Sequence, residues 1–397
     1  MNSLAANLEG APPARVLVRG VNWLGDAVMC TPALLRLREA LPQAHIALLT
    51  HEKLGDLWRG HPALNAVLSF QGNEGVWSIG RRLRNEKFDL SLILPNSMRS
   101  ALESFMAGIP RRVGYGTQLR EVLLTHSVAP RQGAVQMHKR SRLGVKLLAR
   151  IRPAKPRRAP PASAHHIHHY LHLVAAIGAD PTPVRPQLFL DDEHELRTAL
   201  EKFGIDADSP VSPLLGLNPG AEYGPAKRWP QDRFAAVAMA LRRQTHCRWL
   251  LFGGPGDAPL ANEIAAWLES VAAAHPSAAR TAGEKFVWNL AGQTSLRELC
   301  ALLKACRVLL TNDTGPMHVA AALGVPVVVP FGSTSPELTG PGLPGEERHR
   351  LFLGKAPCAP CFLRECPIDF RCMTSITVKA VVEAVLSRLA TRGFPGP

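Results

Sequence analysis

A carboxylate and several polar residues follow the first apolar segment of the chain. Asp26 ends the stretch 19–26, where a helix is predicted to begin. An Asp at this position can cap the helix by accepting backbone N–H bonds, or it can act as a general base. The two roles are compatible. The stretch lacks the Gly-x-Gly-x-x-Gly pattern, which argues against a dinucleotide-binding oxidoreductase.

A second group lies in residues 218–230, after another apolar segment. It combines Gly220 with the adjacent cations Lys227 and Arg228. A glycine lets the backbone approach an anion, and the two cations can neutralise its charge, so the stretch predicts a phosphate site. A rigid Gly/Pro turn that carries surface cations is an equally good interpretation of these residues alone.

A third group, residues 311–318, also comes directly after an apolar segment. Thr314 and Gly315 precede a predicted helix, whose first N–H groups and dipole favour a diphosphate. Asp313 can accept hydrogen bonds from sugar hydroxyls. His318 is a candidate phosphate or sugar contact, although a lone histidine on such a helix is more often a structural residue.

The segment 253–257 is a glycine-rich turn after a further predicted strand. Asp257 and Glu263 are candidate contacts to the ribose of a nucleoside bound there. A simple tight turn also explains the glycines, and from these residues alone it is the favoured interpretation.

Four of the eight cysteines cluster near the C-terminus with intervals of two, four and five residues. This density in a chain expected to be cytosolic predicts a structural zinc site, with buried free thiols or an incidental disulfide as the alternatives. The cluster comprises Cys358, Cys361, Cys366 and Cys372. The other four cysteines lie among apolar residues and are predicted to fill the core.

Five histidines crowd one predicted helix. Four of them share a helix face and could bind a metal, but no carboxylate is nearby in the sequence, so we expect a surface or acceptor-facing helix that gains charge as the pH falls. The five are His165, His166, His168, His169 and His172.

Alternating strand and helix patterns predict two α/β halves with parallel sheets. One helix is predicted over residues 26–40, and the boundary between the halves lies near residue 185. Predicted strands fall at 16–18, 46–49, 90–94, 214–217, 249–252, 308–310 and 325–329. Ligands of such sheets bind beyond the carboxyl ends of the strands, which is where the polar groups above are found.

The charge of the chain is strongly positive and uneven. Of 397 residues, 46% are hydrophobic, and the formal net charge is +14. Residues 122–179 contain ten Lys or Arg and no Asp or Glu. Such a stretch attracts anionic partners, although a solvated basic loop is the plainer interpretation. No apolar run is long enough to span a membrane and no signal peptide is recognisable, so we expect a cytoplasmic protein.

Six motifs in order resemble glycosyltransferase family 9, the ADP-heptose:lipopolysaccharide heptosyltransferases. The resemblance extends from about Arg15 to the C-terminal helix, and the stretch 224–230 favours the type II members. The motifs are Asn22-Trp23-Leu24-Gly25-Asp26, Leu94-Pro95-Asn96-Ser97, residues 107–115, residues 219–230, Asn289-Leu290-Ala291-Gly292 and residues 311–318.

The resemblance implies an α/β fold of GT-B type, with two Rossmann-like domains facing each other across a cleft. Residues 1–185 would bind the acceptor and 186–375 the ADP-sugar, with a helix at 376–391 packing back on the first domain. Asp26 matches the family's base, Lys227 its diphosphate-binding lysine, and Asp313, Thr314 and Gly315 its donor loop. Arg228, Gly220 and His318 are assigned to the donor side, and Asn22 and Asn96 to the acceptor side.

The implied reaction is inverting transfer of L-glycero-D-manno-heptose from ADP-heptose to the first heptose of the lipopolysaccharide inner core. No cofactor would be needed for catalysis. The partners would be ADP-heptose, a lipid-anchored lipopolysaccharide precursor and the anionic inner membrane, at whose cytoplasmic face the enzyme would be peripheral.

Three alternatives remain open from the sequence. One is another family 9 sugar transferase with a different acceptor, and a second is a nucleotide-sugar 2-epimerase on the same fold. A nucleic-acid or membrane-surface binding protein without activity is the third. Nucleic acid is disfavoured as a partner, because the basic residues lack the interleaved aromatic residues that stack on bases.

Overall fold

The computed structural model describes residues 12–150, 159–206, 212–274 and 284–391. The chain forms two compact units: Met1–Val135 with Ser163–Phe189, and Gln136–Ala162 with Leu190–Pro397. The main stretch of the second unit begins at Leu190, four residues after the predicted start at residue 186. The segment Gln136–Ala162, which was predicted to lie in the first half, belongs to the second unit.

The first unit is built on a six-stranded sheet of order β3-β2-β1-β4-β5-β6, in which all neighbours are parallel. Its strands are β1 (Arg15–Arg19), β2 (His45–His51), β3 (Ala66–Phe70), β4 (Leu90–Ile93), β5 (Arg111–Tyr115) and β6 (His126–Val128). Its helices are α1 (Leu24–Met29), α2 (Thr31–Ala40), α3 (Glu52–Gly55), α4 (Val76–Asn85), α5 (Met98–Met106) and α7 (Ile167–Ala175).

The second unit repeats this architecture with the order β12-β11-β10-β7-β8-β9, again parallel throughout. Its strands are β7 (Leu214–Asn218), β8 (Arg248–Leu251), β9 (Val287–Asn289), β10 (Val308–Thr311), β11 (Val327–Phe331) and β12 (Arg350–Leu353). Its helices are α6 (Arg142–Leu148), α8 (Asp192–Phe203), α9 (Gln231–Thr245), α10 (Ala258–Ala274), α11 (Leu296–Ala305), α12 (Gly315–Ala322), α13 (Pro336–Thr339), α14 (Arg371–Thr374) and α15 (Val378–Ala390).

The central strands are buried along their whole length, as expected for parallel sheets covered by helices on both faces. Every residue of β4, β7 and β10 is buried. This explains why these strands are continuous apolar runs in the sequence rather than alternating ones. Because all strands of a sheet point the same way, the loops that follow them collect at one edge, where the predicted site residues lie.

One prediction about a helix is wrong. The helix predicted over 26–40 is interrupted at Cys30, since Pro32 lies in the first turn of α2 and has no N–H with which to continue the α1 ladder. The C-terminal helix α15 contacts α9, β10 and β11 of the second unit, and its packing on the first domain stays a prediction. Within the described ranges, no helix is long and apolar enough to cross a membrane.

Candidate active site

In the first unit, Asp26 lies in the first turn of α1, directly after β1. The cap position itself is occupied by Trp23, whose side chain makes no capping hydrogen bond. Asp26 therefore contributes its charge to the positive end of the helix rather than capping it. Its carboxyl group is 33% exposed, which leaves it accessible to a ligand.

Two side chains of α7 contact the carboxylate of Asp26. Tyr170 Oη donates a hydrogen bond to Oδ1 over 3.0 Å, and His166 Nε2 lies 3.5 Å from the same oxygen. Burial, followed by the charge of Asp26, raises the pKa of Tyr170 well above its usual value, so the phenol stays a hydrogen-bond donor. Burial lowers the pKa of His166, against the opposing influence of Asp26.

Tyr170 was not among the predicted site residues, and the histidines were expected on a surface or acceptor-facing helix. A surface position is wrong for His165, which is buried, whereas His169 is partly exposed. The His169 ring stacks on Tyr115 with 4.1 Å between centroids, and burial lowers its pKa to about 3. The sequence did indicate that His166 and Tyr170 could act on the same group, because positions 166 and 170 are one helical turn apart and share a face.

The loop before α1 is held by a buried ion pair. Arg19 Nε lies 2.6 Å from Glu103 Oε2, with both side chains almost fully buried, and Arg19 Nη1 donates to Asn22 Oδ1 over 3.2 Å. Asn96 follows the neighbouring strand β4 and is exposed. Since Arg19 pairs with Ile93 across the sheet, the loops that carry Asn22 and Asn96 leave adjacent strands at the same edge.

In the second unit, Lys227 and Asp313 form an ion pair. Lys227 Nζ lies 2.7 Å from Asp313 Oδ2, which also accepts a hydrogen bond of 2.6 Å from Thr334 Oγ1. The side chains of Asp313 and Lys227 are 4% and 15% exposed. The two motifs that the sequence placed after separate strands therefore meet, as expected from the adjacency of β7 and β10.

Backbone contacts position the Lys227 loop. Asn312 Oδ1 accepts the N–H of Trp229 at 2.9 Å, while its Nδ2 donates to Pro219 O at 2.7 Å. Gly224 has a φ of +150°, and a Cβ at this position would lie 2.5 Å from Arg364 O. Only glycine fits there, so the loop requires this residue.

Helix α12 begins beside this pair. Thr314 is its N-cap residue, without a side-chain cap, and Gly315 opens its first turn. The N–H groups and dipole of such a terminus favour an anion, although Pro316 supplies no N–H. His318 is buried at the same end.

Gly220, Arg228 and Asp257 come together as a second small cluster. Arg228 Nη2 lies 3.2 Å from Asp257 Oδ1, and Asp257 Oδ2 accepts the N–H of Gly254. A Cβ on Gly220 would lie 2.3 Å from the Asp257 carboxyl carbon. Glu263 does not join this cluster, since its Oε2 accepts from Gln231 Nε2 in a separate open depression between α9 and α10.

The four clustered cysteines line one small cavity together with Ala226 and Ser333. Burial raises the pKa of the Cys372 thiol to about 12. In the ranges that the structure describes, no group of three or more His, Cys, Asp or Glu side chains is arranged to hold a metal ion. The structure thus gives the predicted zinc site no support.

The cysteine-rich segment supports the Lys227 loop instead. Tyr223 Oη donates to Phe362 O, and Ala226 N–H donates to Arg364 O, each over 2.9 Å. Lys227 Nζ and the Arg364 guanidinium both lie about 5 Å from the centre of the Tyr223 ring. The segment therefore holds the Lys227 loop through hydrogen bonds additional to those of Asn312.

The sequence profile of glycosyltransferase family 9 (heptosyltransferase) matches residues 76–140 and 130–370. Lipopolysaccharide heptosyltransferase 2 of Salmonella typhimurium (strain LT2) is 32% identical over 336 residues, which cover 82% of this chain and 85% of the relative. The Escherichia coli (strain K12) protein of the same name is 31% identical over 342 residues, with the same coverage.

Solved structures agree with the sequence comparison. The Escherichia coli ADP-heptose lipopolysaccharide heptosyltransferase II matches with a TM-score of 0.73 and 27% identity, covering 96% of this chain and 99% of that one. A family 9 glycosyl transferase from Veillonella parvula DSM 2008 matches with a TM-score of 0.72, 95% and 98% coverage and 21% identity, which supports the fold alone.

Two parallel six-stranded sheets, each with its polar groups beyond the carboxyl ends of the strands, define a glycosyltransferase of the GT-B type. More narrowly, the chain belongs to glycosyltransferase family 9, the heptosyltransferases.

Proposed function

We propose that the protein transfers L-glycero-D-manno-heptose from ADP-heptose to the first heptose of the lipopolysaccharide inner core, with inversion at the anomeric carbon. The names of the relatives support this reaction. The observation that carries the mechanism is the accessible Asp26 carboxylate, which Tyr170 holds by a hydrogen bond of 3.0 Å.

In this mechanism, Asp26 accepts the proton of the acceptor hydroxyl. The acceptor oxygen forms a bond to the anomeric carbon while the bond from that carbon to the ADP oxygen breaks, and ADP leaves with the electron pair. A carboxylate held in place by a neighbouring donor is suited to general base catalysis.

The second unit would bind ADP-heptose. Lys227 and the first turn of α12, with Thr314 and Gly315, supply positive charge and N–H groups for the diphosphate. They stabilise the charge that develops on ADP as it leaves, which substitutes for a divalent metal. Asp313 would then serve two partners, since it pairs with Lys227 and lies where sugar hydroxyls can donate to it.

The remaining donor-side and acceptor-side assignments are part of the same proposal. Arg228 and Asp257 would contact the nucleotide beside Gly220, and their observed pairing supports a shared role. The observed position of Glu263 in a separate depression favours Asp257 over Glu263 as the ribose contact. Asn22 and Asn96 would contact the acceptor.

The test is transfer from ADP-heptose to a lipid A–Kdo–heptose acceptor, followed by ADP release and acceptor mass. We expect the parent to add one heptose. Asp26→Asn should lower kcat by about 10³-fold, because general base catalysis contributes about 10²–10⁴-fold, and it should leave ADP-heptose affinity unchanged. An Asp26→Asn variant with parental turnover would refute the base assignment.

The same assay separates the two other enzymatic candidates. A 2-epimerase would rearrange the donor sugar and leave the acceptor mass unchanged, while another family 9 transferase would act on a different acceptor. Membership of family 9 supports transfer over epimerisation.

We also propose that the enzyme works in the cytoplasm, peripheral to the inner membrane, where a lipid-anchored acceptor is found. The basic stretch at residues 122–179 supports this location, since anionic lipids attract such segments. Turnover on membrane-bound acceptor should fall as salt is added, and turnover that is insensitive to salt would contradict the proposal.

A further inference from the structure

Helix α6 presents a face that is both apolar and basic and that the fold leaves uncovered. Leu143 and Leu147, one helical turn apart, are 67% and 53% exposed, whereas Val145 is buried at 1%. Lys146 and Arg150 are exposed as well. Two large aliphatic side chains on the outer face of a short helix have a free-energy cost in water unless another surface covers them.

The helix is held firmly on the second unit. Ser141 caps it by accepting the N–H of Gly144 at 2.9 Å. Arg140 N–H donates to Cys361 O over 2.9 Å, and Arg371 Nη1 donates to Ala149 O over 2.8 Å. Both ends of α6 are therefore tied to the cysteine-rich segment and α14, so its outer face is a defined surface.

The charged side chains of α6 and of the residues next to it in the chain are all cations. In the described segment 136–150 they are Lys139, Arg140, Arg142, Lys146 and Arg150, and all five are exposed. Arg142 lies 3.3 Å from Glu365, but both side chains are about two-thirds exposed, so this pair neutralises little. Val135 and Met137, which precede the helix, are exposed apolar residues too.

We propose that the outer face of α6 docks on the surface of an anionic lipid bilayer, with Leu143 and Leu147 at the boundary between headgroups and acyl chains. Lys146 and Arg150 then meet lipid phosphates. An amphipathic helix with a basic rim and aliphatic anchors is the arrangement that such surfaces bind. The inference rests on the proposed function only for the location of the acceptor, because lipid binding is measured without turnover.

The experiment is vesicle co-sedimentation of the full chain. The probes are vesicles of phosphatidylcholine with phosphatidylglycerol, and vesicles of phosphatidylcholine alone. We expect binding to the anionic vesicles, and we expect the variant Leu143→Ser/Leu147→Ser to weaken it about tenfold. Leu119→Ser, at a leucine that is 76% exposed in the first unit, is the matched control and should bind like the parent.

A second variant tests the contribution of the two cations, Lys146 and Arg150. Lys146→Gln/Arg150→Gln should also weaken binding about tenfold, and 0.5 M salt should reproduce this loss in the parent. Arg81→Gln, at an exposed arginine of α4 in the first unit, is the control and should bind like the parent. Parental binding by the leucine variant, equal binding to both kinds of vesicle, or binding to DNA oligonucleotides alone would each overturn the proposal. Thermal unfolding of every variant checks that it is folded.

Measurements of turnover distinguish failure of the docking proposal from failure of the proposed transferase reaction. If the leucine variant is slower on acceptor embedded in anionic vesicles but matches the parent on acceptor stripped of its acyl chains, docking is supported. If the parent turns over neither acceptor yet still binds vesicles through α6, the proposed reaction fails and the docking surface stands.

Discussion

The two aspartates that follow central strands, Asp26 and Asp313, lie in very different surroundings. Asp26 is one-third exposed, and its described polar contacts are with a phenol and an imidazole. Asp313 is almost fully buried, and it is paired with Lys227 and hydrogen bonded by Thr334. A carboxylate that must accept a proton needs access and a neutral neighbour. One that organises a cation needs burial and a fixed partner.

The two surroundings predict that Asp313 contributes mainly to stability, whereas Asp26 contributes mainly to turnover. Asp313→Asn should lower the free energy of unfolding by about 3 kcal/mol, because removing one member of a buried pair leaves the other charge unpaired. Asp26→Asn should lower it by less than about 1 kcal/mol, since an exposed isosteric change costs little. Urea unfolding of the two variants beside the parent measures both. Equal losses would show that the two carboxylates do not differ as described.

Lys227→Ala should lower kcat about 100-fold and raise the KM for ADP-heptose, because a preorganised cation that stabilises leaving-group charge contributes about 10²–10³-fold. Lys227→Arg keeps the charge and should recover part of the rate. Lys202→Ala, at a lysine that pairs with Glu298 on the same unit, is the matched control. Steady-state kinetics with varied ADP-heptose would contradict the donor role if Lys227→Ala changed neither constant.

Tyr170→Phe should lower kcat about tenfold with little change in KM, because the loss of one hydrogen bond to a charged group costs about 1.5 kcal/mol or more. The pH profile of kcat should move as well, since the phenol orients and stabilises the Asp26 carboxylate. Tyr115→Phe removes a hydroxyl that donates to the carbonyl of His169 in the same array, and it is the control. A matching effect of both variants would mean that Tyr170 acts only through packing.

Acid should destabilise the first unit through His169. Its folded pKa of about 3 lies below the ordinary value of 6.5, so the unfolded chain takes up this proton first as the pH falls. The stabilisation is complete above pH 6.5 and is lost progressively towards pH 3. His169→Phe keeps a ring against Tyr115 and should remove about 2 kcal/mol of the stability difference between pH 7 and pH 5. Unfolding curves at both values compare the variant with the parent.

The edges where the polar groups lie could be predicted from the sequence. Asp26, Lys227 and Asp313 each follow a strand, and parallel strands bring the loops after them to one side of a sheet. The partner of Asp26 could not be placed in this way, because Tyr170 lies 144 residues away on a helix. Its approach depends on how α7 packs against α2 and β5.

The predictions for the histidines and for the clustered cysteines depend on neighbours that the sequence does not show. A run of histidines indicates an exposed helix only if nothing apolar covers it, and Tyr115 of β5 stacks on His169. The zinc site at the four close cysteines stays a prediction: all four line one cavity behind the Lys227 loop, but in the described ranges no three His, Cys, Asp or Glu side chains are arranged to hold a metal ion. The sequence gives the residue type at each position and the spacing between positions. It does not show which neighbours the tertiary structure brings to a side chain.

The hydrogen bonds between the cysteine-rich segment and the Lys227 loop also affect the order in which the second unit folds during synthesis. Tyr223 and its acceptor, Phe362 O, are 139 positions apart. A growing chain can complete β7 and β8 while Phe362 is still inside the ribosome. The loop can take its final form only after the cysteine-rich segment has emerged, so the cation that meets Asp313 is among the last parts of the second unit to be placed.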